Sequence, residues 1–600
     1  MSKYPVNWDL DSFFPGGSQS KEFEEFLVQL ETDLKALNQK IAGLKPEEAG
    51  KRVEQWSNLL NEIQEISSRL GQAGSFIHCL MSQDVTDEQA KLLNGRITQM
   101  SATYDSAMTA LDSRFLEIRE EDWEKLLQSE ELAPISFPLE ERRRRAAEKL
   151  PPEQETLVGD LSVDGYHAWG DLYSTVVGRI HIPYEEEGKV QQLSVGQAAN
   201  KMASGDRKVR KKVFENWEKA WAEHAELCAA ALNHISGFRL NLYRHRGWDS
   251  VLQEPLDYNR MSHKTLDVMW EVIQQNKPRL LQYLQRKAAL IGVERLSWYD
   301  LYAPMMENQK NVSYDEGAMF ILEQFARFDP KLADFSKTAL TDGWVEAEDR
   351  PGKRPGGFCT SFPLSGQSRI FMTFSGTASN VSTLAHELGH AYHQHVMEGL
   401  PRMAQKYAMN VAETASTFAE MIVADASIRH ASNEEERLVL LEDKLQRATA
   451  FFMDIHSRFL FETRFYEERK QGPVSVGRLN ELMTEAQKEA FQDALDEYHP
   501  HFWASKLHFY LTGVPFYNFP YTFGYLFSAG IYKRSLEEGP SFAEKYVDLL
   551  RDTGRMKVED LAQRHLGVDL TRPDFWQSAV DIALADVDQF LEMTESKVKK

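Results

Sequence analysis

The stretch GTASNVSTLAHELGHAYHQHV, residues 376–396, contains the most informative pattern in the sequence. Residues 384–396 contain no proline and only Gly389 as a weak helix former, which predicts a helix. Thr383 precedes this run and fits the first turn of such a helix. The predicted helix therefore carries four of the 17 histidines in the chain.

His386, Glu387 and His390 form an H-E-x-x-H motif on this helix. Four residues of helix rise ~6 Å and turn about 40° past one full turn, so the two histidines can share one metal ion. Glu387 lies one position along, where it can reach a metal-activated water without occupying the metal, as a general base must. With 17 histidines in 600 residues, the motif arises by chance in roughly one such protein in twenty, so its surroundings must support it.

A candidate third ligand, Glu413, lies 23 residues after His390. Its segment VAETASTFAE, residues 411–420, is predicted to be a second helix that Asn410 opens and that folds back antiparallel to the first. Two imidazoles and one carboxylate leave a fourth position open for water, as in catalytic zinc sites, whereas structural sites are closed by four protein ligands. His393 lies one turn further along the first helix and suits a role behind the ligands or in packing.

Residues 349–379, before the motif helix, form a non-helical region that glycine and proline punctuate. Within this region, residues 368–374 alternate in a pattern that predicts a half-buried strand. We therefore expect a short sheet directly before the motif helix. Cys359 also lies in this region, and we interpret it as a small apolar filler rather than a catalytic residue.

Most of the remaining chain shows helical periodicity, including a long run that predicts one helix from residue 195 to about residue 246. A strand-like pair is predicted at residues 176–182 and 189–193. We expect a boundary between an N-terminal helical lobe, residues 1–195, and a catalytic domain, residues 196–600.

The chain carries 69 Lys and Arg against 91 Asp and Glu, and the net charge of −22 argues against binding to nucleic acid or to an anionic membrane. The one dense basic run, Arg142 to Arg145, lies among glutamates in a helix-forming stretch, which is typical of a solvated helix face. Three distant cysteines and an N-terminus without an apolar core predict a reducing, cytoplasmic location. The sequence leaves the oligomeric state open.

Residues 508–532 form a run of 25 residues without Asp, Glu, Lys or Arg. The run also contains two prolines, three glycines and ten Phe or Tyr residues, a composition that does not suit a lipid-facing helix. Composition alone gives this aromatic run no role.

Three separated motifs carry a family resemblance: GTASNVSTLAHELGHAYH, VAETASTFAE and, far downstream, HFYLTGVPFYNFPYTFGYL. In this order they resemble the M3 family of zinc oligopeptidases, and most of all its bacterial oligoendopeptidase F branch. The resemblance is clearest from residue 350 to residue 530. It implies a mainly α-helical fold: a large two-lobed zincin of the gluzincin type, with a small β-sheet beside the active site and a deep substrate channel.

The resemblance implies roles for five residues around the motif helix. His386, His390 and Glu413 match the metal ligands of the family, and Glu387 matches its catalytic base. Glu420, seven residues beyond Glu413, is implied as a carboxylate that orients a ligand histidine, and an ordinary helix–helix contact stays an open alternative.

The resemblance also gives the aromatic run a role. His508, Tyr517 and Tyr525 fall on the family pattern of a loop over the metal whose groups hydrogen-bond the oxyanion, and Tyr521 is implied as a substrate contact. The spacing between Tyr521 and Tyr525 departs by one residue from the family form. For any single tyrosine here, a place in the core stays an open alternative.

The implied activity is that of a zinc endopeptidase that hydrolyses internal bonds of short oligopeptides with one Zn²⁺ per chain. Gly357 and Phe358, beside the predicted sheet, are implied as substrate contacts, because an extended peptide can pair its backbone with a strand edge.

Two other functions stay open at this point. A helical zinc carboxypeptidase or peptidyl-dipeptidase would need a cation for the terminal carboxylate, and none stands out in the sequence. A non-catalytic peptide-binding protein would carry the motif as a relic. Met306-Glu307-Asn308 has the letters of a zinc aminopeptidase motif without its preceding Gly-Ala, and we interpret it as a coincidence.

Overall fold

The computed structural model describes residues 3–186, 188–305 and 311–598. Helices make up most of these residues and the strands are few and short, which confirms the predicted mainly helical class. The Met306-Glu307-Asn308 triplet lies outside the described residues. Among the helices of the described ranges, none is long and apolar enough to cross a membrane.

In chain order, the first eleven α-helices are α1 (Lys21–Ala42), α2 (Val53–Gln83), α3 (Glu88–Glu117), α4 (Glu120–Leu127), α5 (Ser136–Ala147), α6 (Pro152–Ser162), α7 (Ala168–Arg179), α8 (Val195–Met202), α9 (Arg207–Arg246), α10 (Gln253–Tyr258) and α11 (His263–Ile291). The others are α12 (Tyr314–Phe328), α13 (Pro330–Thr341), α14 (Ala378–Val396), α15 (Met409–Ala412), α16 (Thr414–Arg429), α17 (Glu434–Thr449), α18 (Ile455–Arg469), α19 (Val476–Ala490), α20 (Phe502–Ser505), α21 (Phe519–Glu538), α22 (Phe542–Asp552), α23 (Val558–Leu566) and α24 (Pro573–Thr594).

Within the described residues, five strands form two small sheets. They are β1 (Ile182–Glu186), β2 (Lys189–Leu193), β3 (Val345–Glu346), β4 (Phe358–Phe362) and β5 (Gln367–Phe371). β1 and β2 pair as an antiparallel hairpin. In the second sheet, in the order β3-β5-β4, β3 is parallel and β4 antiparallel to β5. The second sheet lies directly before α14, as the sequence predicts.

Three predicted element boundaries are wrong. Residues 176–179 belong to α7 rather than to a strand, and β5 ends at Phe371 rather than at residue 374. The predicted helix from residue 195 to residue 246 is broken, because the Asp206 side chain accepts a hydrogen bond from the Lys208 backbone N–H and so caps a new helix start at Arg207.

The basic run on α5 is less solvated than its pattern predicts. The Arg143 guanidinium lies over the ring of Trp123, and it donates hydrogen bonds to the backbone oxygens of Phe115 and Ile118. Arg142 pairs with Asp112 at 2.8 Å. Arg142 and Arg143 therefore make contacts within the protein rather than only with solvent.

The chain divides into two compact units, each built from three segments. Unit 1 contains residues 1–149, 310–423 and 534–567, and unit 2 contains residues 150–309, 424–533 and 568–600. The predicted boundary at residue 195 stays a prediction.

In unit 1, a continuous apolar core begins near the N-terminus and extends to the second sheet. Phe23, Leu27 and Leu30 of α1 are fully buried, as their helical spacing requires. Trp8 packs on Phe371 of β5 with 5.6 Å between the ring centroids, and this core therefore supports the sheet from behind.

Candidate active site

The motif helix α14 begins at a capped N-terminus. The Thr377 hydroxyl accepts a hydrogen bond from the Asn380 N–H, and the Asn380 side chain accepts one from the Thr377 N–H, so that the two residues form a capping box. The helix therefore begins at Ala378, five residues before Thr383, which corrects the predicted first turn. α14 packs against β4 and β5.

The three predicted metal ligands come together. One nitrogen of His386, one of His390 and one carboxylate oxygen of Glu413 all lie within 4.8 Å of one another. Glu413 Oε2 is 3.2 Å from His386 Nε2 and 3.4 Å from His390 Nε2. The two imidazole rings are nearly perpendicular, with 4.9 Å between their centroids. The i, i+4 spacing thus places both Nε2 atoms beside one carboxylate.

Glu413 lies between two helices rather than inside one, which corrects the prediction of a single helix opened by Asn410. The short helix α15 ends at Ala412, and α16 begins at Thr414. The Ser416 hydroxyl donates a 2.7 Å hydrogen bond to Glu413 Oε2. This bond fixes the carboxylate at the start of α16.

Gly389, in the middle of the motif, permits the close approach of α14 to this segment. A Cβ atom at this position would lie 2.6 Å from both the Ala415 carbonyl oxygen and the Ser416 Cα. Because those are backbone atoms, they cannot rotate away, and only glycine fits here. The residue that weakens the helix prediction is therefore the one that lets Glu413 reach the histidines.

The predicted supporting residues occupy different places. Glu420 Oε2 is 3.2 Å from His386 Nδ1, the ring nitrogen opposite the one that faces Glu413. His393 is fully buried, its Nε2 lies 2.9 Å from the Thr553 hydroxyl, and its ring stacks on Tyr407. His393 is therefore a packing residue held by Thr553 and Tyr407, while Glu420 touches a candidate ligand.

Glu387 is buried and Glu413 is half-buried, and their neighbours shift their pKa values in opposite directions. Burial raises the pKa of Glu387, although His390 and His386 oppose that rise. Desolvation also tends to raise the pKa of Glu413, but hydrogen bonds with His386 and His390 hold the pKa of this carboxyl well below its usual range. Glu387 Oε2 is buried and accepts no hydrogen bond from any described residue.

A cavity of about 480 Å³ surrounds these side chains in unit 1. It is lined by the two histidines, both glutamates and the region that begins at Gly357 and runs along β4. A Cβ atom on Gly357 would lie 3.5 Å from Glu387 Oε1, so the strand passes close to this carboxylate. Phe358 also lines the cavity, and its ring packs on His78 and Phe371.

The thiol of Cys359 lines the same cavity without being activated. Burial, together with the charge of Glu387, raises the pKa of this thiol well above its usual value. A protonated thiol is a weak nucleophile and a poor metal ligand, as the sequence interpretation requires.

Gln394 and Tyr407 are among the cavity residues that the sequence analysis does not single out. Gln394 follows His386 and His390 at the same four-residue interval, so helical spacing alone could have found it. Its amide donates a 2.5 Å hydrogen bond to the hydroxyl of Tyr407, which also lines the cavity. Tyr407 lies in an irregular segment, and no sequence pattern marks it.

In unit 2, three of the four predicted aromatic residues come together. The ring of Tyr517 stacks on His508 at 4.9 Å and meets Tyr521 edge-on at 5.2 Å between centroids. Burial lowers the pKa of His508 to about 4, with Lys506 and Arg458 adding to the effect. His508 is therefore a neutral imidazole at neutral pH, able to donate a hydrogen bond.

Tyr525 lies apart from this group. Its ring stacks on Phe451 at 4.5 Å, and burial raises the pKa of its hydroxyl to about 12. The roles of Tyr525, Tyr517, Tyr521 and His508 in catalysis stay predictions.

The residues in unit 1 fit a divalent metal ion. Two imidazole nitrogens and one ionised carboxylate converge, and a further carboxylate contacts the back of one imidazole, as metal-binding histidines usually require. Together with the buried glutamate one position along the helix, this arrangement defines a helical metallopeptidase of the H-E-x-x-H class.

The family model described as "Peptidase family M3" matches residues 201–582, and the chain belongs to that family. A second model, described as "Oligopeptidase F", matches residues 114–181. Both findings agree with the resemblance that the three motifs carry.

Relatives and solved structures agree with this assignment. "Oligopeptidase PepF" of Bacillus subtilis is 24% identical over 99% of this chain and 88% of its own length. "Oligoendopeptidase F, chromosomal" of Lactococcus lactis subsp. cremoris is 26% identical over 69% of this chain and 68% of its own length. The crystal structure of oligoendopeptidase-F from Enterococcus faecium matches with a TM-score of 0.69 at 18% identity, covering 96% of this chain and 99% of that one. At this identity the structural match shows the fold.

Replacing Gly389 with alanine tests the packing that brings the ligands together. On helix propensity alone, alanine would stabilise α14 by about 1 kcal/mol. The clash with the backbone at Ala415 and Ser416 should outweigh this gain, displace Glu413 and weaken metal binding by at least about tenfold. Titration of the metal-free protein with Zn²⁺ measures the change.

Gly74→Ala is the matched control, because a Cβ atom on this α2 glycine meets nothing within 4 Å. This variant should be slightly more stable, with unchanged metal affinity. Unchanged affinity in Gly389→Ala would show that the close approach does not set the ligand geometry.

Proposed function

We propose that this chain is a zinc-dependent endopeptidase that cleaves internal peptide bonds of short oligopeptides. The convergence of His386, His390 and Glu413 beside the buried Glu387 is the observation that carries the proposal. The printed names of the relatives, oligopeptidase and oligoendopeptidase, support the substrate class.

Zinc, one ion per chain, is the metal that the donor set favours. Two histidines and one glutamate with an open fourth position match the ligand set of catalytic zinc sites. A bound Zn²⁺ would supply Lewis acidity to the scissile carbonyl and lower the pKa of the attacking water.

Glu387 would act as the general base and then as the general acid. Its buried Oε2 would accept the proton of the attacking water and later deliver that proton to the leaving amine. The raised pKa of this carboxyl supports the role, because a carboxylate with a pKa nearer neutrality is a stronger base towards the attacking water.

The substrate backbone would lie along β4. This strand pairs with β5 on one edge, and its other edge pairs with no strand of the described residues. Main-chain hydrogen bonds do not read side chains, so an enzyme that binds peptides in this way tolerates many sequences. Gly357 and Phe358, at the start of β4, would contact the peptide next to Glu387.

The aromatic residues of unit 2 would stabilise the oxyanion. We propose Tyr517 and Tyr525 as hydroxyl donors, His508 as a neutral imidazole donor and Tyr521 as a substrate contact. A well-placed donor of this kind contributes roughly 3 to 4 kcal/mol to the transition state. The contact of Tyr517 with His508 supports placing these two residues together in this role.

We also propose a cytoplasmic location. The three cysteines are all free, and two of them, Cys79 and Cys228, are buried. A chain that keeps free thiols suits a reducing compartment.

A peptide blocked at both ends tests the endopeptidase assignment. The zinc-loaded protein should cut an N-acetylated, C-amidated peptide internally, because an endopeptidase needs neither terminal charge. Mass spectrometry identifies the products. Cleavage of the free-acid peptide alone, with release of C-terminal fragments, would favour the carboxypeptidase or peptidyl-dipeptidase alternative.

Glu387→Gln tests the catalytic base. The amide keeps the size of the side chain but cannot take a proton, so kcat should fall by at least about a thousandfold while bound zinc stays at one per chain. Metal analysis and peptide turnover measure both quantities on the same sample. Retained turnover would contradict the mechanism.

Tyr517→Phe and Tyr525→Phe test the oxyanion donors as a pair. Loss of a transition-state hydrogen bond should lower kcat by about 100-fold and change KM by less than about threefold. A tyrosine that serves only the core would instead lower the melting temperature and leave kcat nearly unchanged.

A further inference from the structure

The segment of residues 511–518 in unit 2 is fastened at both ends by buried side chains. At its first end, Arg239 donates hydrogen bonds to the Leu511 oxygen at 2.8 Å and to the Thr512 oxygen at 3.4 Å. The Tyr166 hydroxyl also donates to the Thr512 oxygen, at 2.8 Å. The start of the segment is therefore held by groups from two other elements.

Its second end is held by Glu462 of α18, which is 4% exposed. Glu462 Oε1 accepts the Phe516 N–H at 3.3 Å, and Oε2 accepts the Asn518 side-chain N–H at 2.7 Å. The two hydrogen bonds arrive on either side of Tyr517. One carboxylate thus fixes the backbone on both sides of a single tyrosine.

Phe516 shows why this second anchor is needed. Its φ of 53° lies in the left-handed region, which is a strained conformation for a non-glycine residue. Such a conformation persists only where the surroundings enforce it. The ring of Phe516 stacks on Tyr466, and its N–H is held by Glu462, so both contacts impose the turn.

Asn518 connects this turn to the first residues of α21 through hydrogen bonds. Its side-chain oxygen accepts the Phe519 N–H, and its carbonyl oxygen accepts the Tyr521 N–H at 3.1 Å. Glu462 fixes the orientation of the Asn518 amide by accepting from its nitrogen. The start of α21, which carries Tyr521, is therefore set by the same carboxylate.

We propose that Glu462 is a positioning residue that places Tyr517 for the reaction by holding the turn at residues 516–518 through two hydrogen bonds. The proposal rests on the proposed function, because the role of Tyr517 belongs to that function. Glu462 itself is assigned no contact with substrate or metal.

The carboxylate form of Glu462 is the one that holds the turn, since only it offers two acceptors to two donors. Burial raises the pKa of Glu462 to about 7, although Arg239 and the two N–H donors pull the pKa down. Tyr466, on the same helix, is a further titratable group beside it. As the pH falls through about 7, Glu462 takes up a proton and one acceptor is lost.

Glu462→Gln in the full-length, zinc-loaded protein tests the proposal. The amide keeps the volume but turns one acceptor into a donor that faces another donor. We expect kcat to fall about 10- to 100-fold with KM changed less than about threefold, because a misplaced group weakens the transition state more than substrate binding. Hydrogen exchange of residues 513–521 should become faster.

Glu467→Gln is the matched control, because Glu467 lies on the same helix with 58% of its side chain exposed. This variant should match the wild type in kcat and in exchange. If Glu462→Gln does not fold, Glu462→Asp takes its place: it keeps the charge, draws the oxygens back by one methylene, and should give a smaller fall in kcat and a smaller rise in exchange.

A double-mutant cycle separates the inference from the proposed function. If Glu462 acts through Tyr517, then Glu462→Gln should lower kcat by less than about threefold in a Tyr517→Phe background. An undiminished effect in that background overturns the proposal. If Tyr517→Phe alone leaves kcat unchanged, the catalytic role of Tyr517 has failed, and the positioning role proposed for Glu462 falls with it even if the exchange result shows that Glu462 holds the turn.

The pH profile gives a readout that a merely structural role would not move. As the pH falls through about 7, protonation of Glu462 should lower the kcat of the wild type further than protonation of Glu387 alone would. The Glu462→Gln variant should lack this extra fall in kcat. Glu387 contributes its own acid limb to both proteins, so the difference between the two profiles isolates Glu462. Identical profiles, or unchanged exchange of residues 513–521, would overturn the proposal.

Discussion

The close approach of α14 to the chain at Ala415 and Ser416 is the constraint on which the site depends. Two histidines four residues apart on a helix can always face one direction, but the third ligand must come from another part of the chain. Because Gly389 has no Cβ atom, the backbone at Ala415 and Ser416 can pack directly against α14. Backbone packing therefore sets the positions of the three proposed ligands, and the Ser416 hydroxyl donates a hydrogen bond that holds Glu413.

The two glutamates beside the histidines show how neighbours divide chemical roles. Burial disfavours the charged form of both carboxyls. Glu413 faces both Nε2 atoms and stays ionised, as a ligand must, while Glu387 has no described hydrogen-bond donor at Oε2 and keeps a raised pKa. When two neighbouring carboxyl groups have pKa values shifted in opposite directions, they usually serve different chemical roles. In unit 2, the buried carboxylate of Glu462 has a third role, because it accepts two hydrogen bonds from the turn at residues 516–518.

Residue spacing was enough to predict that the two histidines lie together beside Glu387 and that the chain is mainly helical, because these follow from local periodicity. The break at Glu413 could not be predicted, since residues 411–420 favour helix throughout and packing at Gly389 decides the geometry. Residues 176–179 contain two β-branched valines that favour a strand, yet packing of α7 on α9 imposes a helix. Tyr517 and Tyr525 look alike in sequence, because aromatic residues suit both a core and a site, and only the fold separates them.

We propose that His386, His390 and Glu413 of unit 1 hold one zinc ion beside Glu387. Anomalous diffraction at the zinc edge, from crystals of the protein purified without added metal, tests it most directly. We predict a single strong peak bonded to His386 Nε2, His390 Nε2 and a carboxylate oxygen of Glu413, with Glu420 against the opposite nitrogen of His386. A peak held by other residues, or zinc bound through His393 in place of Glu413, would contradict it.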